Sequence, residues 1–188
     1  DDATRWPDIQ NLQQRAEARS ITSADRLVCR VALEADNDIY VGTFGSDLSA
    51  TTNYLRTLMA TVSAMYERDL NVTLEVVYLN VWTTAGDPYN QTDAGAQLNQ
   101  FQQYWNANHA SIIRDDTFMF SGRSYGGVAG IAYLDALCTT FGYGLGSITQ
   151  ATEGFPTNQV VFNTILTAHE IGHNFGSPHT HSCFWQDN

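Results

Sequence analysis

His169 and His173 stand four residues apart in the run ILTAHEIGHNF at 165–175, a segment with helical character. On a helix this spacing puts both imidazoles on one face, one turn above the other. Two imidazoles so placed can reach one tetrahedral Zn²⁺ at about 2.0–2.1 Å. Glu170 follows the first His directly and lies beside that face, where a carboxylate can take a proton from an activated water without itself being a ligand. Gly176 then ends the helix, because a residue without Cβ adopts positive φ at little cost. The turn swings His179 back as a third ligand. Three protein ligands leave a fourth position for water, which distinguishes a catalytic from a structural zinc site. The pattern H-E-x-x-H-x-x-G-x-x-H is complete at 169–179. Its five specified positions coincide by chance roughly once in several million windows. The residues therefore point to Zn²⁺ as cofactor, with His169, His173 and His179 as metal ligands and Glu170 as the catalytic base.

Other histidines carry less. His181 lies two residues past the third ligand and reads as a surface residue, and His109 in NANHAS reads as a loop or helix-end residue. Asn71-Val-Thr73 and Asn90-Gln-Thr92 match the N-glycosylation acceptor pattern. The aromatics Tyr78, Trp82, Tyr104 and Trp105 are expected to pack the core and the sheet.

The elements that must position the histidines follow from periodicity. Residues 26–34 read as a first strand, and 71–82 (NVTLEVVYLNVW) as a second, since that run alternates and is rich in β-branched and aromatic residues. Between them Leu55, Leu58, Met59, Val62 and Met65 recur at helical spacing over 47–69, after Ser49, Thr51 and Thr52, which suit capping. A helix is expected from about Asp93 to Ala107, burying Leu98, Phe101 and Trp105. Strands are expected at 116–121 and 143–149, and 122–134 reads as a glycine-loosened strand or edge in which Gly126 and Gly127 permit a bulge. A short helix is expected at 8–19. Strands alternating with helices imply an α/β layer architecture. No repeat, low-complexity tract or linker interrupts the chain. The expected division is an N-terminal extension or pro-segment remnant at 1–25 followed by one domain over 26–188.

Composition narrows the function further. With 43% hydrophobic and 15% charged residues the chain is of globular type, and its net charge of −11 sets it against nucleic acid and anionic membranes. No apolar run approaches a membrane span, and the polar start DDATRW is no signal peptide, so a secreted protein would already have lost its targeting segment. Cys29, Cys138 and Cys183 are odd in number, so at least one thiol is free or has a partner outside this chain. Cys29, among Leu27, Val28 and Val31, also fits a small buried apolar residue.

On these residues the chain resembles the reprolysin (adamalysin/ADAM-like) branch of the metzincin zinc proteases. The resemblance runs over about 27–180 and rests on VWTT at 81–84, DAGAQLNQF at 93–101, FSGRSYGGVAGIAYLDALC at 120–138 and TAHEIGHNFGSPH at 167–179. It implies a twisted, mostly parallel sheet with an antiparallel edge strand and a long zinc-binding active-site helix. It also implies a protein or peptide substrate laid extended along that edge around 126–133, by strand addition. The sequence departs from the pattern at Thr180, where reprolysins usually carry Asp, and in lacking the family's Met-turn, since Met59, Met65 and Met119 all precede the zinc motif. The resemblance therefore implies a C-terminal segment or domain absent from this chain. Cys138 and Cys183 resemble family cysteines whose partners would lie there. Apolar residues near Phe175 and Phe184 should then be open to solvent. The reading that results is a secreted zinc metalloendopeptidase. Its rival is an inactive fragment or binding module on the same fold, against which the retained Glu170 speaks.

Overall fold

A computed structural model describes residues 26–148 and 159–179 of the chain. The helix expected at 8–19, and with it Thr180, His181, Cys183 and Phe184, lies outside the described residues. Five strands form one sheet: β1 (Leu27–Ala35), β2 (Val72–Val81), β3 (Asp116–Ser121), β4 (Gly130–Ala132) and β5 (Tyr143–Ser147). The spatial order is β2-β1-β3-β5-β4. The pairs β1/β2, β1/β3 and β3/β5 are parallel, and only the edge strand β4 runs antiparallel, against β5. This is the mostly parallel sheet with an antiparallel edge that the resemblance implied. The β1/β2 register shifts between Val31 and Ala32, which pair with Val76 and Tyr78, so Val77 of β2 is the extra residue of a bulge.

Central strands covered on both sides carry apolar side chains on alternating faces, and β1 and β3 show this directly. Val31, Leu33, Phe118 and Phe120 turn to the side occupied by helices α1 (Leu48–Leu70) and α3 (Gln159–Asn174), where they meet Leu55, Leu58, Met59, Val62 and Ile171. Ala32 and Met119 turn to the other side, where helix α2 (Ala94–Asn108) contributes Leu98, Phe101 and Trp105. Each fully buried Val, Leu, Ile, Phe or Met side chain among them stabilises the fold by about 1.5–3 kcal/mol.

Two local readings are corrected. Helix α1 is not capped by Ser49, Thr51 or Thr52. Asp47 caps it by accepting from the Ala50 amide at 2.9 Å, while Thr51 and Thr52 bond back to carbonyls of the first turn. Those threonines are already helical, and their hydroxyls find local acceptors instead of free amides. The run 122–134 is mostly loop: Gly126 and Gly127 take φ of +63° and +95° in a turn closed by a Tyr125–Val128 bridge, leaving only Gly130–Ala132 as strand. Asp93 caps α2 through the Ala96 amide, and a short π-helical turn at Ile39–Thr43 follows β1.

One buried group ties the aromatic residues of the second core together. Glu34 on β1 is fully buried. It accepts hydrogen bonds from the indole nitrogens of Trp82 and Trp105 and, at 2.8 Å, from the Tyr89 hydroxyl. Burial still raises its carboxyl above the usual range, the three donors pulling the other way. The expected aromatic packing of Tyr78, Trp82, Tyr104 and Trp105 is thus organised around a carboxylate. His109 ends α2 as expected, its ring tilted against that of Trp105 at 4.6 Å, and burial and Arg114 lower its pKa.

Candidate metal centre

Helix α3 carries the site and packs on β5 and β4. Where it crosses β5 and β4 the sheet presents glycines. A Cβ on Gly144 would stand 3.0 Å from the Phe118 ring and 3.3 Å from Asn174 Oδ1, and one on Gly146 would stand 3.3 Å from the same ring. Asn174 donates to the carbonyls of Tyr133 and Tyr143 at 3.2 and 3.1 Å, tying the helix end to the sheet. Residues 135–137 then hold that end from outside. The amide of Asp135 donates to the His173 carbonyl at 2.9 Å, and those of Ala136 and Leu137 donate to the Asn174 carbonyl at 3.0 and 3.3 Å.

The helix closes in a Schellman turn, which satisfies its last carbonyls. Gly176 has φ of +91° and donates to the His173 carbonyl at 2.9 Å, and Ser177 donates to the Gly172 carbonyl at 3.0 Å. This reverses the chain and delivers His179 beside the helix. His169 Nε2 and His173 Nε2 lie 3.0 and 3.1 Å from His179 Nε2. The three rings border an open pocket with Ala168, Gly172, Ser177 and Pro178.

These nitrogens fit a metal better than they fit one another. His179 Nε2 faces two other nitrogens and can carry at most one proton. Their spacing is close to the roughly 3.3 Å edge of a tetrahedron with 2.0–2.1 Å zinc–nitrogen bonds. His173 Nδ1 lies 2.6 Å from the Ser177 carbonyl oxygen. A carbonyl only accepts, so Nδ1 is the donor and Nε2 keeps its lone pair toward the cluster. Among the described residues, this is the one group of three or more His, Cys, Asp or Glu side chains with converging ligand atoms.

Glu170 is placed differently from its neighbours. It is 4% exposed, whereas His169 and His179 are exposed, so the base candidate points into the protein and the metal candidates point out. It does not border the histidine pocket but lies against Gly130 of β4. Burial raises its carboxyl to about 7. The loop leading to β4 is anchored by Asp36, which accepts from the amides of Ile39 and Gly122 at 2.8 and 3.0 Å and from the Ser121 hydroxyl.

Phe175 is not open to solvent as expected. It is half-buried, its ring 5.1 Å from that of Tyr66, because the helix end is drawn onto α1. The exposed apolar side chains of α3 are instead Val160, Val161 and Ile165, one to two turns before the histidines. The Schellman carbonyls, the 135–137 clamp and the contact with Gly130 were missed from sequence. Only Gly176, by its place in the motif, signalled its part.

Comparison with known proteins gives the family and the fold. The reprolysin model of metallo-peptidase family M12 matches residues 25–186. Disintegrin and metalloproteinase domain-containing protein 1 of Rattus norvegicus is 30% identical over 138 residues, covering 72% of this chain and 16% of that protein. Disintegrin and metalloproteinase domain-containing protein 19 of Mus musculus is 30% identical over 140 residues, covering 73% and 14%. The chain thus spans less than a fifth of the length of these relatives. A solved chain described as "Structure of a chaperone-substrate complex" superposes with a TM-score of 0.61 at 14% identity, over 83% of this chain and 24% of its own, and shares the fold. The chain belongs to the reprolysins of metallo-peptidase family M12.

Proposed function

We propose that the protein is an extracellular zinc-dependent endopeptidase that hydrolyses peptide bonds in extended segments of protein substrates. The observation that carries this is the convergence of three imidazole Nε2 atoms to 3.0–3.1 Å at the end of one helix, together with family membership. His169, His173 and His179 would hold the metal. When bound, zinc supplies Lewis-acid activation of the scissile carbonyl and of a water. Glu170 takes the proton of that water and passes it to the leaving amine, a role suited to a carboxyl whose pKa is raised toward neutrality by burial. The substrate backbone extends β4 as a further strand, with hydrogen bonds to the edge giving affinity. Among the described residues no helix is long and apolar enough to cross a membrane.

Turnover of an unfolded protein substrate by the zinc-loaded chain, with and without chelator, tests the reading. Cleavage that stops on chelation and returns with zinc is expected. Stoichiometric zinc without any cleavage would leave a metal-binding module instead of an enzyme.

A further inference from the structure

Gly130 is the first residue of β4, paired with Gly146 across the antiparallel edge. Glycine usually marks a position where the backbone needs positive φ. Gly130 is not among the residues in that region, so its conformation does not call for glycine. Glycine also weakens a strand interior relative to alanine. Space is the remaining reason. A Cβ on Gly130 would stand 2.6 Å from Glu170 Oε1, 2.7 Å from its Cγ and 2.8 Å from its Cδ, all well inside van der Waals contact. The missing side chain is therefore filled by the far half of Glu170. With Gly144 and Gly146, Gly130 completes a glycine floor beneath α3, but its neighbours receive Phe118 and Asn174. Only Gly130 receives the carboxylate.

We infer that Gly130 is a positioning residue for Glu170: by lacking a Cβ it lets the carboxylate lie buried against the edge strand, in the one place from which it serves a substrate held on that strand. This rests on the proposed role of Glu170 as general base. A carboxylate on a flexible side chain can move aside for a methyl group, so Gly130→Ala should leave the fold intact while displacing the base. A displacement of about 1 Å costs on the order of 10²-fold in rate.

The test is a double-mutant cycle on the zinc-loaded full chain with Gly130→Ala and Glu170→Ala, read by thermal melting and by kinetics. Gly130→Ala is expected to keep stoichiometric zinc, to lower kcat about 10²-fold and to change KM by less than about twofold. It should lower the melting temperature when Glu170 is present. In the Glu170→Ala background the same substitution should raise melting by about 2–4 °C, since alanine suits a strand better than glycine once the space is free. Equal melting changes in both backgrounds, or kcat unchanged in Gly130→Ala, would overturn the inference and leave the function standing. If Gly130→Ala fails to fold alone but folds with Glu170→Ala, the contact is upheld; failure of both variants overturns it. A wild-type chain with no turnover removes the proposed function, and the positioning role with it, even where the melts couple.

Discussion

His173 Nδ1 donates to the carbonyl oxygen of Ser177 across 2.6 Å, so the residue that orients the ring sits inside the turn that its own helix makes. Ring orientation, helix termination and the return of His179 are thus one structural event, hinged on Gly176 at φ of +91°. Gly176→Ala places a Cβ in a left-handed conformation that costs about 1–2 kcal/mol, and 3.2 Å from Asp135 Oδ1. The turn opens, and zinc affinity falls about 10–100-fold, as when a ligand loses its orienting partner. Zinc titration against a competing chelator measures this, and retained far-ultraviolet circular dichroism separates it from unfolding. Unchanged affinity would show that His179 reaches the cluster without the Schellman turn.

Glu170→Gln retains stoichiometric zinc and loses about 10²–10⁴-fold in turnover, because an amide of the same shape cannot take a proton. Its side chain is buried whereas the three rings are exposed or half-exposed, and it is not among the converging ligand atoms, so metal content and catalysis should separate. Metal analysis and kinetics on the same preparation check this. Zinc lost from a folded variant would make Glu170 a ligand.

Asp116 gives the fold a pH dependence of known sign. It is fully buried, its Oδ2 has no hydrogen-bond partner among the described residues, and burial raises its carboxyl from 3.8 to about 7. Between those values the folded chain holds a proton that the unfolded chain has lost. Its contribution to stability is therefore full below about pH 4 and falls as pH rises through about 7. Asp116→Asn cannot ionise, so it should match the wild type at pH 4 and exceed it at pH 8. Urea unfolding of both proteins at the two pH values measures the difference. A difference that shrinks as pH rises would contradict the sign.

Glu34→Gln should destabilise the fold by about 1–3 kcal/mol. Glu34 Oε1 accepts from Trp82 and Tyr89 and Oε2 from Trp105, so an amide necessarily turns an N–H toward another donor. Chemical denaturation followed by tryptophan fluorescence reports both the loss and the disturbed indoles. A neutral substitution would mean that water satisfies the donors instead.

Much of this was legible in the sequence because its signals are local. The alternation of 71–82 gave β2 to within a residue at each end, and the histidine spacing with Gly176 gave the cluster. What was missed depends on residues far apart in the chain. Helix α3 begins six residues before the expected start because Asn163 and Thr164, polar and buried, masked its first turns. Gly130 read as a loosened edge, since nothing in its neighbourhood says that a side chain forty positions later fills its place. The burial of Glu34 was not legible, because the three donors that make it tolerable are Trp82 just past β2, Tyr89 in the following loop and Trp105 on α2.

The edge strand β4 spans three residues, Gly130–Ala132. An open sheet edge is a template on which any stray strand can grow, including one from another copy of the same protein. So short an edge offers a foreign strand too few ladder bonds to hold it alone. On the proposed function, a guest chain would stay only while contacts beyond the strand support it, and cut fragments would lose that support. The brevity of β4 would then make product escape and resistance to edge-to-edge aggregation the same property.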